Sequence, residues 1–383
     1  MKTRENLSGV RVIRAFCKED DEIAEFKKAN DELSATQKFV GRISALMNPI
    51  TYILINLAIV WLIDIGAMQV HLGELTQGEV VALYNYMSQI LVELIKLASL
   101  IITITKSVAS GARINSVFNI TSSQENGNKN TGTDSQYAVE FSDVTLNYHG
   151  SGEPSLEGIT FKVKKGETVG IIGGTGSGKT SLVNLIPRFY DATGGVVLVD
   201  GADVRTYDVE ALRERIGIVP QKAVLFKGSV RENMMWGNKN ATDEEIFEAL
   251  ACAQAKDVVV DKGGLDFMIE EGARNLSGGQ KQRLTIARAI VKKPDILILD
   301  DSASALDFAT DAALRLAIKN MQGERTVFIV SQRASSIMHA DKIIVLDDGK
   351  AVGIGTHGEL IDSCSVYREI YDSQFKKEDK IHG

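Results

Sequence analysis

The chain is 383 residues long, 44% apolar and 24% charged, a folded composition that excludes an intrinsically disordered protein and leaves room for two or three domains. Its net charge of −7 counts against a nucleic-acid partner, which requires a basic face. Cys17, Cys252 and Cys364 are too far apart for a metal spacing or a disulfide framework and read as ordinary thiols of a reducing compartment.

The opening stretch through Lys18-Glu19-Asp20-Asp21 is charged and does not read as a signal peptide. From Glu5 to about Lys38, Val12, Ile13, Phe16, Ile23 and Phe26 recur at helical spacing among charges, which predicts an amphipathic helix. Ile43 to Ile63 carries no charge and is long enough to span a bilayer, with Tyr52 and Trp61 as interface anchors and Asp64 at one end. The competing reading is a long core helix of a soluble domain; Asn48, Pro49 and Asn56 weaken the span, and Pro49 predicts a kink. A short turn, His71 to Gly78, leads to a second apolar run from Val80 to about Thr105. That run holds Glu93 and Lys96, three apart on one helical face, either an ion pair turned towards a bundle interior or cavity, or a solvated face. Together the runs predict a helical hairpin across a membrane, with spans at about 43–70 and 79–105. Residues 122–136, SSQENGNKNTGTDSQ, lack periodicity and read as a linker between a domain over 1–121 and another over 137–383.

Beyond the linker, strands and helices alternate. Val139-Glu140-Phe141, Val144-Thr145-Leu146 and Val196-Val197-Leu198-Val199 read as strands. Ile296–Leu299 and Val327–Val330 are continuous apolar runs of the kind buried on both faces, and Ile343–Leu346 before Asp347-Asp348-Gly349-Lys350 reads as half of a hairpin. The expected class is α/β with an antiparallel addition. Within it, Gly173-Gly174-Thr175-Gly176-Ser177-Gly178-Lys179-Thr180 fits the phosphate-cradling pattern G-x-x-x-x-G-K-[ST] at every required position. A strand, Thr168–Ile172, precedes it and a helical run, Ser181–Ile186, follows, as the mechanism needs: small residues let successive N–H groups converge on one anion at a helix N-terminus. Lys179 supplies charge for the β- and γ-phosphates and the Thr180 hydroxyl can ligate Mg²⁺. The loop therefore predicts binding of a nucleoside triphosphate. Asp300, at the end of a buried strand, is the expected metal-side carboxylate. A second anion-seeking tip, Leu276-Ser277-Gly278-Gly279-Gln280, opens the helical run that begins at Lys281. Two such loops in one fold are redundant unless each serves a different nucleotide.

With both loops in place the sequence resembles the ATP-binding cassette (ABC) family, and within it the bacterial multidrug-type exporters, over nearly the whole chain. The resemblance implies a P-loop cassette (α/β core, antiparallel β addition, helical signature subdomain) preceded by an all-α partial transmembrane domain. It implies ATP and Mg²⁺ as ligands: Gly173 to Thr180 for phosphate, Tyr148 for stacking on adenine unless it is only a strand-edge tyrosine, Thr180, Gln221 and Asp300 around the metal, and Ser277, Gly278, Gly279 and Gln280 as the signature. Ser304-Ala305-Leu306-Asp307 matches the loop that crosses the dimer interface, and Glu271 the acidic residue near the intracellular loops. Residues 7–16 resemble the cytoplasmic extension into the fifth span, so the two apolar runs correspond to spans five and six, and the chain looks like an N-terminally truncated half-transporter.

Two positions depart from the family pattern. Asp301 stands where the catalytic glutamate is expected, and one methylene less leaves its carboxylate about 1–1.5 Å short of the attacking water. Gln332 stands where the switch histidine is expected; it can donate a hydrogen bond but carries no charge. The resemblance then implies a heterodimer with a second half-transporter, in which this chain's own ATP site is weak and its intact signature serves the partner. Membrane lipids, a small hydrophobic substrate, no nucleic acid, and a multi-pass place in the cell membrane with a cytoplasmic cassette complete the expectation. The alternatives are a soluble ABC ATPase of repair or translation and a tight ATP-binding regulatory module.

Overall fold

A computed structural model describes residues 2–121, 124–133, 135–148, 150, 152–321 and 324–375; the linker positions 122, 123 and 134 and the tail from 376 lie outside the described residues. The chain divides into two compact units, Met1–Thr121 and Ser122–Gly383.

The first unit is helical: α1 (Lys2–Ala15), α2 (Glu19–His71) and α3 (Gln77–Phe118). The single amphipathic helix expected over residues 5–38 is instead divided, because Cys17 takes a left-handed φ of 51° and ends α1. Its second half is continuous with the apolar run, so α2 is 53 residues long and runs through Pro49 without a break. Among the described residues α2 alone has a window long and apolar enough to cross a membrane, with mean hydropathy 2.0. In the second expected span, Glu93 and Lys96 do pair, at 2.7 Å. A core helix of a soluble domain would be buried, yet Ile53, Leu57 and Trp61 are 59%, 62% and 70% exposed, which favours a lipid-covered face over the soluble alternative. The hairpin closes where Gly66 lets Val80 approach: a Cβ there would lie 2.8 Å from a Val80 methyl. Thr76 and Glu79 form a reciprocal cap that starts α3.

The second unit comprises β1 (Tyr137–Leu146), β2 (Leu156–Lys164), β3 (Thr168–Gly173), α4 (Lys179–Leu185), β4 (Gly194–Val199), β5 (Ala202–Asp203) and α5 (Val209–Glu214). There follow β6 (Ile216–Val219), β7 (Gly228–Ser229), α6 (Val230–Met235), α7 (Asp243–Cys252), α8 (Lys256–Asp261), β8 (Met268–Ile269) and α9 (Gly278–Val291). The chain continues with β9 (Ile296–Asp300), α10 (Phe308–Lys319), β10 (Thr326–Val330), α11 (Ala334–Ile337), β11 (Lys342–Asp347), β12 (Lys350–Gly355), α12 (His357–Ser363) and α13 (Ser365–Phe375). One sheet is ordered β12-β11-β3-β10-β9-β6, parallel except for the β11–β12 hairpin, and an antiparallel sheet is ordered β2-β1-β4-β5. Strands β9 and β10 are buried throughout, as their unbroken apolar runs predict. One apolar core lies between the two sheets around Phe141, Ile171 and Phe328, and a second under the helical region around Leu250, Leu284 and Ile286. In the large sheet Val330 is in register with both Ile171 and Asp300, and Val219 with Leu299, so the C-terminal ends of β3, β10, β9 and β6 lie along one edge.

The polar stretch before β1 is docked on this unit over its described part. Gly127 donates to the Tyr207 carbonyl and Asn128 to that of Thr206, Asp208 donates back to Lys129, and Thr133 donates to Asp200 at 2.8 Å. A Cβ on Gly127 or Gly132 would strike the backbone of Thr206 or Asp200, so these glycines permit close approach rather than flexibility. The buried Arg188 fastens the strap, donating to the Glu125 carbonyl (2.9 Å), the Arg205 carbonyl (3.3 Å) and Asp191 (2.7 Å). Replacing it by methionine leaves a half-buried carboxylate and two carbonyls without donors. The expected cost of Arg188→Met is about 3 kcal/mol, measured by urea unfolding, with faster proteolysis between Gln124 and Thr133.

Candidate functional site

A cavity of about 380 Å³ opens at the strand edge and is lined by Thr175, Gly176, Gly178, Lys179, Thr180, Gln221, Asp300, Asp301 and Gln332. Each element delivers its group for a topological reason: β3 runs into the phosphate loop, β6 points to Gln221, β9 ends at Asp300, and β10 leads through Ser331 to Gln332. Residues far apart in sequence therefore share one pocket.

The loop's glycines are required by its path. Gly176 and Gly178 have φ of 85° and 93°, values that L side chains rarely adopt. A Cβ on Gly173 would meet the Leu346 carbonyl, and one on Gly178 would lie 2.7 Å from the Ser155 carbonyl. Lys179 is buried and curls back over the loop, its Nζ donating to the carbonyls of Gly173 (2.9 Å) and Gly174 (2.6 Å). Burial pushes its pKa down, and Asp301 and Asp300 push it back up. Asp300 is buried too; burial raises its pKa, against the hydrogen bond that the Thr180 hydroxyl donates to it at 3.2 Å. These oxygens, with the Gln221 amide in the same cavity, suit a hard cation such as Mg²⁺ that shares its shell with phosphate oxygens.

Asp301 occupies a left-handed conformation, φ 46°, just past the strand end. Its N–H donates to the Val330 carbonyl at 3.0 Å, and its carboxylate accepts a hydrogen bond from the Gln221 side chain at 3.3 Å. Gln332 is exposed and also lines the cavity. Tyr148 does not line the cavity; it is half-buried, meets Tyr190 edge-on at 4.9 Å and donates to Ser181 at 3.0 Å. The signature stands apart from the cavity. Ser277 caps α9, accepting from the Gln280 N–H while the Gln280 side chain accepts from the Ser277 N–H at 3.0 Å. Ser277 and Gly278 are exposed, and Gly279 packs so close to the Ala305 carbonyl that a Cβ would lie 3.1 Å away. Sequence reasoning missed Ser155, from the turn before β2, and Asp348 with Gly349, from the β11–β12 hairpin, which complete the cavity wall. The signal available was the Asp-Gly turn itself, read above only as a hairpin.

Known proteins resemble this chain over both of its units. Residues 156–304 match the ABC transporter family, and residues 3–94 match the ABC transporter transmembrane region. An uncharacterized ABC transporter ATP-binding protein of Mycobacterium tuberculosis is 40% identical over 376 residues, covering 97% of this chain and 64% of the relative. A putative multidrug export ATP-binding/permease protein of Bacillus subtilis is 37% identical over 97% of this chain and 64% of its own length. The structure of a bacterial Atm1-family ABC exporter with ATP bound superposes with a TM-score of 0.85 at 28% identity, over 98% of this chain and 66% of that one. The chain thus spans just under two thirds of the length of these proteins.

The ionisation of Asp300 yields a test. Because burial raises its pKa, this group favours the folded state below the ordinary carboxylate range, and that contribution is lost as pH rises through the raised value. Asp300→Asn is expected to raise the thermal midpoint of the nucleotide-free chain at neutral pH, with the gain vanishing on acidification. The same variant is expected to lose at least tenfold of the Mg²⁺-dependent gain in ATP affinity, read by isothermal titration with and without the metal.

Proposed function

We propose that this chain, which belongs to the ABC transporter family, couples ATP binding and hydrolysis to the efflux of drugs, lipids or other hydrophobic compounds. It would do so as one subunit of a dimeric exporter in the cell membrane, with the ATP-binding unit in the cytoplasm. The observation that carries the reading is the shared cavity: Lys179, Thr180, Gln221, Asp300, Asp301 and Gln332 line one space at the strand edge. In it Lys179 and the loop N–H groups hold phosphate, and Thr180, Gln221 and Asp300 hold the metal. Mg²⁺ held by these residues would supply positive charge that offsets the negative charge developing on the transferred phosphoryl group.

The finer reading is that this ATP site is slow. Asp301 is a methylene shorter than glutamate, and its carboxylate already accepts a hydrogen bond from Gln221. A misplacement of about 1 Å can cost about a hundredfold in rate. Gln332 offers an amide where a protonatable ring would otherwise stand, and so adds no positive charge to the transition state. The signature is not altered in the same way: Ser277 and Gly278 lie at an exposed helix start, available to a nucleotide bound on a second cassette. A heterodimer follows, with one slow site here and one faster site on a partner that borrows this signature.

The test is the double variant Asp301→Glu with Gln332→His. Single-turnover cleavage of ATP held at this chain's own site is expected to rise by about ten- to a hundredfold, with ATP affinity nearly unchanged. An unchanged rate refutes the slow-site reading. A subunit that co-purifies and carries Glu and His at the two corresponding positions supports the heterodimer, and recovery of this chain only with itself opposes it.

A further inference from the structure

Gln374, one residue from the end of α13, takes no part in the reading above, yet both ends of its carboxamide are bonded to the loop that carries Gln332. Its Nε2 donates to the Gln332 carbonyl at 2.7 Å, and its Oε1 accepts from the Ala334 N–H at 2.9 Å. A carboxamide offers a donor and an acceptor side by side, and here it spans the two residues on either side of Arg333 as a neighbouring strand would. The loop is held elsewhere as well. The Ser331 N–H donates to the Ile171 carbonyl at 3.0 Å, and the Arg333 N–H donates to the Ser331 hydroxyl at 2.9 Å. The Arg333 side chain turns outward, its guanidinium over the Phe308 ring at 5.0 Å and Nη1 donating to the Leu306 carbonyl at 3.4 Å. Gln374 is thus the only side chain among these that grips the backbone of Gln332 itself.

Helix α13 is a firm base for such a grip. Tyr367 is buried at its start and its hydroxyl lies 2.8 Å from His357 Nδ1, while Tyr371 and Phe375 stack at 4.4 Å between ring centroids. We propose that Gln374 is a positioning residue: by fixing the backbone at Gln332 and Ala334 it holds the Gln332 side chain on the cavity wall, so that the rate of ATP cleavage at this site depends on the C-terminal helix. The proposal rests on the reading of the cavity as an ATP site. With the grip removed, the exposed Gln332 keeps its chemistry but loses its fixed place. The phosphate loop, Thr180 and Asp300, which hold the nucleotide, are supported by β3 and β9 and do not change. Rate and affinity therefore separate.

The experiment compares the full chain with Gln374→Met, which keeps length and apolar stem but offers no hydrogen bond, and with Gln374→Glu. The glutamate retains the acceptor for Ala334 and sets a carboxylate against the Gln332 carbonyl. Three quantities are read: MgATP affinity, single-turnover phosphate release, and hydrogen exchange at the Ala334 amide. In Gln374→Met, affinity is expected within twofold of the unaltered chain, phosphate release is expected to fall about tenfold, and Ala334 exchange to rise at least tenfold. In Gln374→Glu, Ala334 is expected to stay protected while phosphate release still falls, a split that loss of helix packing would not produce. Unchanged phosphate release in Gln374→Met, with MgATP still bound, overturns the proposal alone, and so does unchanged Ala334 exchange. Failure of the unaltered chain to bind MgATP overturns the reading of the cavity, and the proposal with it.

Discussion

Two buried charges of opposite sign, Lys179 and Asp300, face one cavity, and burial drives each of them towards its neutral form. Neither is neutralised by the other through a direct ion pair: Lys179 is spent on carbonyls of its own loop, and Asp300 on the Thr180 hydroxyl. Carbonyls and a hydroxyl are weaker partners than the phosphate oxygens and divalent cation that such groups prefer. The site is therefore more costly empty than filled, a cost that the apolar cores on both sides of the sheet must offset. Much of the surrounding structure can be understood as the means of keeping those charges dry, close and separate.

The sheet does this through register. Because β3, β10 and β9 are parallel neighbours, with Val330 opposite both Ile171 and Asp300, the phosphate loop and the acidic pair emerge two strands apart on the same edge. That spacing lets Thr180 touch Asp300 without bringing Lys179 against it. The antiparallel sheet closes the other side, where the Ser155 carbonyl sits so near Gly178 that no larger residue fits and the Glu157 N–H donates to the Gly349 carbonyl at 2.9 Å. A phosphate loop is thus shaped as much by its neighbours as by its own composition.

Local chemistry was legible in the sequence, and relations between distant segments were not. The run Gly173–Thr180 demands glycine at left-handed positions whatever surrounds it, and Ile296–Asp300 is too apolar to be anything but a buried strand, so the loop and the acidic pair could be placed from residues alone. Pro49 lies inside the continuous α2 rather than at its boundary, since a helix can pass through proline. The strap over residues 124–133 misled for a different reason. Glycine and asparagine serve flexible chains and close backbone contact equally well, and only Thr206, Tyr207 and Asp208, over seventy positions later, reveal which it is here. Gln374 carried no signal either, because a glutamine on a polar helix face is ordinary until the loop it meets is known.

The same logic separates Asp301 and Gln332 from the rest of the cavity lining. Lys179, Thr180 and Asp300 are held within the strand-end frame, Lys179 by carbonyls of its own loop and Thr180 and Asp300 by each other. Asp301 and Gln332 lie one step outside that frame, on turns whose backbones are held by other loops: Val330 and Ser304 grip Asp301, and Gln374 grips Gln332. Their side chains can vary without unfolding anything, so they are where a site can lose cleavage while keeping its ligand. The signature obeys the complementary rule, since its cap on α9 is structural and its exposed Ser277 and Gly278 face away from the local cavity. Under the proposed reading, such an arrangement separates holding ATP from cutting it, and a dimer assigns the two tasks to different copies of the site.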